Sequence, residues 1–114
     1  MKKLAVLLAI VLLVFSLAQC SLLTAKSRYI VTSADTEPMQ ILYQSGGDLD
    51  AVTANNYWNY EFDVLNSDKP QLTFIRVVKS SGTNFTVTIE EDGVQVATDN
   101  KLPPATIELY HVVE

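Results

Sequence analysis

Between residues 28 and 113 apolar and polar positions alternate with a period of two, and short polar breaks interrupt the pattern about every ten residues. The clearest run is Trp58 to Val64. Trp58, Tyr60, Phe62 and Val64 fall on one side, with Asn59, Glu61 and Asp63 on the other. In a strand successive side chains point to opposite faces, so this spacing predicts a buried aromatic face and a wet face. Trp58 and Tyr60 are expected in the core, and Tyr57, on the opposite face, is expected to be exposed. Met39, Ile41 and Tyr43 share a face in the same way, against Gln40 and Gln44.

Further strands are predicted over Arg28–Thr32, rich in β-branched and aromatic residues, and more weakly over Leu49–Thr53. Leu72 to Lys79 is apolar on both faces except at Arg76, which predicts a central strand whose arginine either reaches the rim or pairs with a carboxylate. Phe85, Val87 and Ile89 alternate with Thr86, Thr88 and Glu90. Asp92-Gly93 then supplies the positive φ angles of a type I′ turn, so a tight hairpin is predicted from Phe85 to Ala97. Thr98–Pro104 reads as a loop, since Pro103-Pro104 cannot donate to a ladder, and Ala105–Val113 as the last strand. The breaks at Ser33–Pro38, Ser45–Asp48, Asn66–Pro70 and Ser80–Asn84 carry turn residues. Seven or eight short strands without a helical period predict an all-β, antiparallel immunoglobulin-like sandwich, with a small closed barrel as the alternative.

The first twenty residues follow another logic. Lys2-Lys3 is a short positive start, Leu4 to Phe15 is unbroken apolar, and Leu17-Ala18-Gln19-Cys20 follows. That is the layout of a secretory signal. The apolar run is shorter than the roughly 20 residues that span a bilayer. The Leu-Ala-x-Cys ending resembles the lipobox of bacterial lipoproteins, with Gln19 standing where a smaller residue is usual. The resemblance implies a signal peptide over residues 1–19, lipidation of Cys20, a lipid-anchored tether over 20–27 and a domain over 28–114. Ser21 after the cysteine points, by analogy with lipoprotein sorting, to the outer membrane.

Charge and chemistry narrow the function. The chain of 114 residues has a net charge of −5. Without Lys2 and Lys3 the rest has six Lys/Arg against thirteen Asp/Glu, a net of −7. Such a domain repels phosphate backbones, so nucleic acid is not expected as a partner. One cysteine and one histidine cannot make a disulfide or a zinc site. His111, on the face of Ile107, Leu109 and Val113, is expected at a surface or edge rather than in a catalytic triad. No nucleophile elbow, phosphate loop or dinucleotide fingerprint is present in the sequence. Asp48-x-Asp50 and Glu90-Glu91-Asp92 could offer oxygens to calcium but lack the spacing of a known calcium loop. No cofactor, metal or catalytic residue is therefore expected, and an enzyme is not.

The order of these features also resembles a family. Tyr29-x-Val31-Thr32, a strand ending at Tyr43, Gly46-Gly47, the Trp58 strand, Val87-x-Ile89 and Asp92-Gly93-x-x-Val96 together are similar to the periplasmic domain of MmpS-type membrane proteins. The resemblance implies an immunoglobulin-like sandwich and an accessory role beside an envelope transporter. The sequence departs from that family in having no cysteine pair, a lipobox in place of an uncleaved anchor, and Asn56-Tyr57-Trp58 where Leu-Pro-Trp is common. The expected function is a membrane-tethered, non-enzymatic interaction module of the cell envelope. The alternatives are a structural or adhesin-like surface lipoprotein that binds a polymer or a neighbouring protein and, after it, a small-ligand binder.

Overall fold

The computed structural model describes residues 24–114, so the signal peptide and Cys20 lie outside the described residues. Eight strands follow one another: β1 (Thr24–Ser33), β2 (Pro38–Ser45), β3 (Asp48–Asn55), β4 (Tyr57–Leu65), β5 (Gln71–Lys79), β6 (Phe85–Glu91), β7 (Val94–Lys101) and β8 (Ala105–Val113). They form two four-stranded sheets, ordered β4-β1-β6-β7 and β3-β2-β5-β8, and every pairing is antiparallel. The two sheets are separate, which decides for a sandwich over a closed barrel. Two pairs of consecutive strands, β1–β2 and β4–β5, interlock: β1 pairs with β4 in one sheet while β2 pairs with β5 in the other. This interlock is the one that immunoglobulin-like sandwiches share. Here the β6–β7 hairpin takes the place beside β1 that an N-terminal strand occupies in those domains.

Alternation builds the core. Tyr29 and Val31 of β1, Val87 and Ile89 of β6, Met39 and Ile41 of β2, Ile75 and Val77 of β5, and Ile107 and Leu109 of β8 are buried together between the sheets. Tyr29 reaches across this layer. Its hydroxyl donates to the Gln44 carbonyl (2.7 Å) and accepts from the Phe74 N–H (3.2 Å), closing the ladder where the β2–β5 pairing ends. Burial pushes its phenol up to about 12.

Three boundaries and one burial differ from the sequence expectation. β1 starts at Thr24 rather than Arg28, and Ala25 and Ser27 are buried, so the span expected as tether is strand from Thr24 onward. Only Ala25 is apolar there, so the sequence hides a continuing pleat that is held by the Thr24–Leu65 to Arg28–Glu61 register. β7 runs on to Lys101, through most of the expected loop. Thr88 and Thr98 pair hydroxyls at 3.1 Å, and Asn100 donates to the Thr86 hydroxyl at 2.7 Å, so polar side chains support this pairing where the hydrophobic pattern is silent. The weak strand expected over Leu49–Thr53 runs from Asp48 to Asn55. Trp58 faces inward but is half-buried, because β4 is an edge strand and the sandwich opens beside it. The Asp92-Gly93 turn forms as predicted, with φ of 52° and 80°.

The strands alternate in direction, so the molecule has two distinct ends. Thr24, the Ser45–Asp48 turn, the Leu65–Gln71 connection, the Glu91–Val94 turn and Val113 lie at one, the proximal end. The connections 33–38, 55–57, 79–85 and 101–105 lie at the other, the distal end.

Candidate functional site

The distal end carries the most organised polar cluster. Lys79 is the last residue of β5, and the alternation of that strand points it inward with Thr73, Ile75 and Val77. Its side chain is fully buried. The ammonium donates to Ser33 Oγ (2.8 Å), Asp35 Oδ1 (2.8 Å) and the Thr83 carbonyl (2.7 Å), which uses all three of its protons. Asp35 is held from every side. Oδ1 also accepts from the Ser33 hydroxyl (3.1 Å) and the Glu37 N–H (3.2 Å), and Oδ2 accepts from the Thr83 N–H and hydroxyl. These donors, the Lys79 ammonium first, hold the Asp35 carboxyl well below the usual carboxylate range.

The cluster fastens loops from both sheets. The 33–38 crossover joins β1 to β2, and the 79–85 crossover joins β5 to β6. The β3–β4 corner is tied in as well. Asn56, at φ 67°, accepts at its carbonyl from the Ser33 N–H (2.7 Å) and donates through its side chain to the Ser33 carbonyl (2.8 Å). Asn55 donates to the Thr36 carbonyl (2.7 Å). Tyr57 leaves this corner exposed, its hydroxyl accepting from the Asn59 amide (3.0 Å). The result is a loop surface in which three connections hold one another in place, with an aromatic ring free for contact.

The residues singled out in the sequence are scattered by comparison. His111 lies half-buried at the proximal edge of the inner face, 3.4 Å from Glu91. The Glu90-Glu91-Asp92 carboxylates diverge: Glu91 turns to His111, while Asp92 accepts from the Lys26 N–H (2.8 Å) at the turn. Asp50 accepts from the Ser45 hydroxyl (2.6 Å). Among the described residues no group of three or more His, Cys, Asp or Glu is placed to hold a metal ion. Arg76 pairs with Glu108 across β5 and β8 at 3.4 Å, the carboxylate partner that the sequence left open. On the outer face of the other sheet Glu61 is paired with Arg28 and, at 3.4 Å, with Lys26, and these cations hold its carboxyl below the usual range.

Lys79 and Asp35 escaped the sequence reading. A lysine closing a strand reads as a solvated end, since lysine is almost never fully buried unless paired. The one signal available was its parity with Ile75 and Val77, which puts it on the inward face. The chain matches no protein-family model. No curated protein is a detectable relative of it.

Proposed function

We propose that this protein is a lipid-anchored, non-enzymatic interaction module of the bacterial cell envelope, and that its distal loop surface is what it presents to a partner. The observation that carries the reading is the polarity of β1. The strand starts four positions after Cys20, at the end opposite the fastened loops. An anchor at Cys20 would hold the proximal end at the bilayer and aim residues 33–38, 55–57 and 79–85 away from it. Loops fixed before contact lose little freedom on binding, which favours recognition by a preformed surface. The partner class we favour is an envelope transporter, in keeping with the similarity of residue order to MmpS-type periplasmic domains. The two-sheet architecture agrees with the fold which that similarity implies.

The test is crosslinking in native membranes with a photoreactive residue in place of Tyr57. It is compared with the same chain carrying Cys20→Ala, and with a photoreactive residue at Val94 on the proximal end. Capture of a transporter subunit from position 57 alone, lost with Cys20→Ala, is the expected result. Equal capture from both positions would overturn the role of the distal loops. Recovery of surface polymer components in place of a transporter would favour the adhesin-like role.

A further inference from the structure

The outer face of the β3-β2-β5-β8 sheet is ordered by polarity along its strands. On β5 and β8 the register pairs Leu72 with Val112, Phe74 with Tyr110, and Arg76 with Glu108. From the proximal end upward these rows are aliphatic, aromatic and charged, spaced by about 7 Å per two residues. Leu72, Val112 and Tyr110 are exposed, the Phe74 and Tyr110 rings meet at 5.0 Å, and the Tyr110 hydroxyl donates to Glu108 (3.1 Å) at the polar border. Leu49 extends the apolar row at a shallow depression that it lines with Leu72, Phe74 and Tyr110. Among the described residues, seven of the nine exposed large hydrophobic side chains lie in the proximal half; the distal half has Tyr57 and Leu102.

We infer that this proximal patch rests on the lipid surface itself, with Leu72 and Val112 in the acyl boundary and Tyr110 at headgroup level. The inference rests on the anchor at Cys20 proposed above. Three residues, Ser21 to Leu23, separate Cys20 from Thr24, and four residue steps reach about 14 Å at most. A domain on so short a lead cannot lift its proximal end clear of the headgroups. The order aliphatic, aromatic, charged is the order of environments from hydrocarbon edge to water, and aromatic rings with a polar tip settle at that boundary. The net negative charge selects zwitterionic over anionic lipid. Contact at this face would tilt the domain and fix which way the distal loops point.

The experiment uses the full chain in vesicles of phosphatidylcholine and phosphatidylethanolamine. A polarity-sensitive fluorophore is attached at Val112→Cys or at Leu72→Cys, with Leu102→Cys as the distal control, and mass spectrometry reports lipid on Cys20. An interfacial face sits roughly 5–10 Å into the headgroup region, so shallow nitroxide lipids should cut emission at 72 and 112 by about half and leave 102 unchanged. Equal emission at all three positions on a lipidated chain would overturn the lipid contact and leave the anchor standing. A Cys20 without lipid would overturn the anchor and this contact with it. Shielded labels that nitroxide lipids do not quench, on a chain that sediments as a dimer, would assign the patch to a second copy instead.

Discussion

At Lys79 three ammonium protons meet three acceptors with no solvent between, which makes this residue intolerant of truncation. Lys79→Met should lower stability in urea by about 3 kcal/mol, since it leaves the Ser33 hydroxyl and the Thr83 carbonyl without their buried donor. The Asp35 carboxyl titrates below its unfolded value, so the folded chain holds fewer protons than the unfolded chain in mild acid. Its contribution is complete above about pH 5 and is lost as pH falls through the ordinary carboxylate range and below. The urea midpoint of Asp35→Asn, compared with wild type, should differ most at neutral pH and converge in acid. Tyr29 behaves in the opposite sense. Its phenol is raised to about 12, so its contribution is complete below pH 10, the unfolded value, and is lost as pH rises through 12. Absorbance titration should show one tyrosine ionising about two units late, absent in Tyr29→Phe, which itself should cost about 1–2 kcal/mol by unpairing the Phe74 N–H.

Among the elements, the distal crossovers are specified by backbone as much as by side chains. Gly82 has φ +99°, and a Cβ there would sit 2.0 Å from Asp35 Oδ2. Gly82→Ala should therefore cost about 2 kcal/mol, from the strained backbone and the displaced carboxylate. In a Lys79→Met background, where Asp35 has lost one of its donors and shifts more easily, the same change should cost less; a double-mutant cycle in urea measures the coupling. Strands with strict alternation, such as Trp58 to Val64, were legible in the sequence, as were the Asp92-Gly93 turn and the central place of Leu72–Lys79. Thr24–Ser27 and Thr98–Lys101 were not. Thr24–Ser27 is held by its backbone register with β4 and Thr98–Lys101 by cross-strand hydroxyl contacts, neither of which leaves a hydrophobic signature. The loop cluster was illegible for a similar reason, because Ser33, Asp35 and Thr83 read as ordinary turn residues until the topology brings them to Lys79.

For the whole molecule, the decisive property is the contrast between its ends. The distal end is polar and cross-tied, while the proximal end carries most of the exposed apolar side chains. The two could not be told apart by composition, since both draw on the same strands and differ only in the direction in which each strand is read. The Lys79 cluster also has a temporal side. It joins residues 44 to 48 apart in sequence and needs both sheets to be docked before its partners meet. Contacts so distant form after the pairing that brings them together. Lys79→Met should then leave the refolding rate in stopped-flow experiments nearly unchanged and speed unfolding by about two orders of magnitude. The buried lysine would act as a latch that governs how long the folded state lasts and has little say in how quickly it is reached.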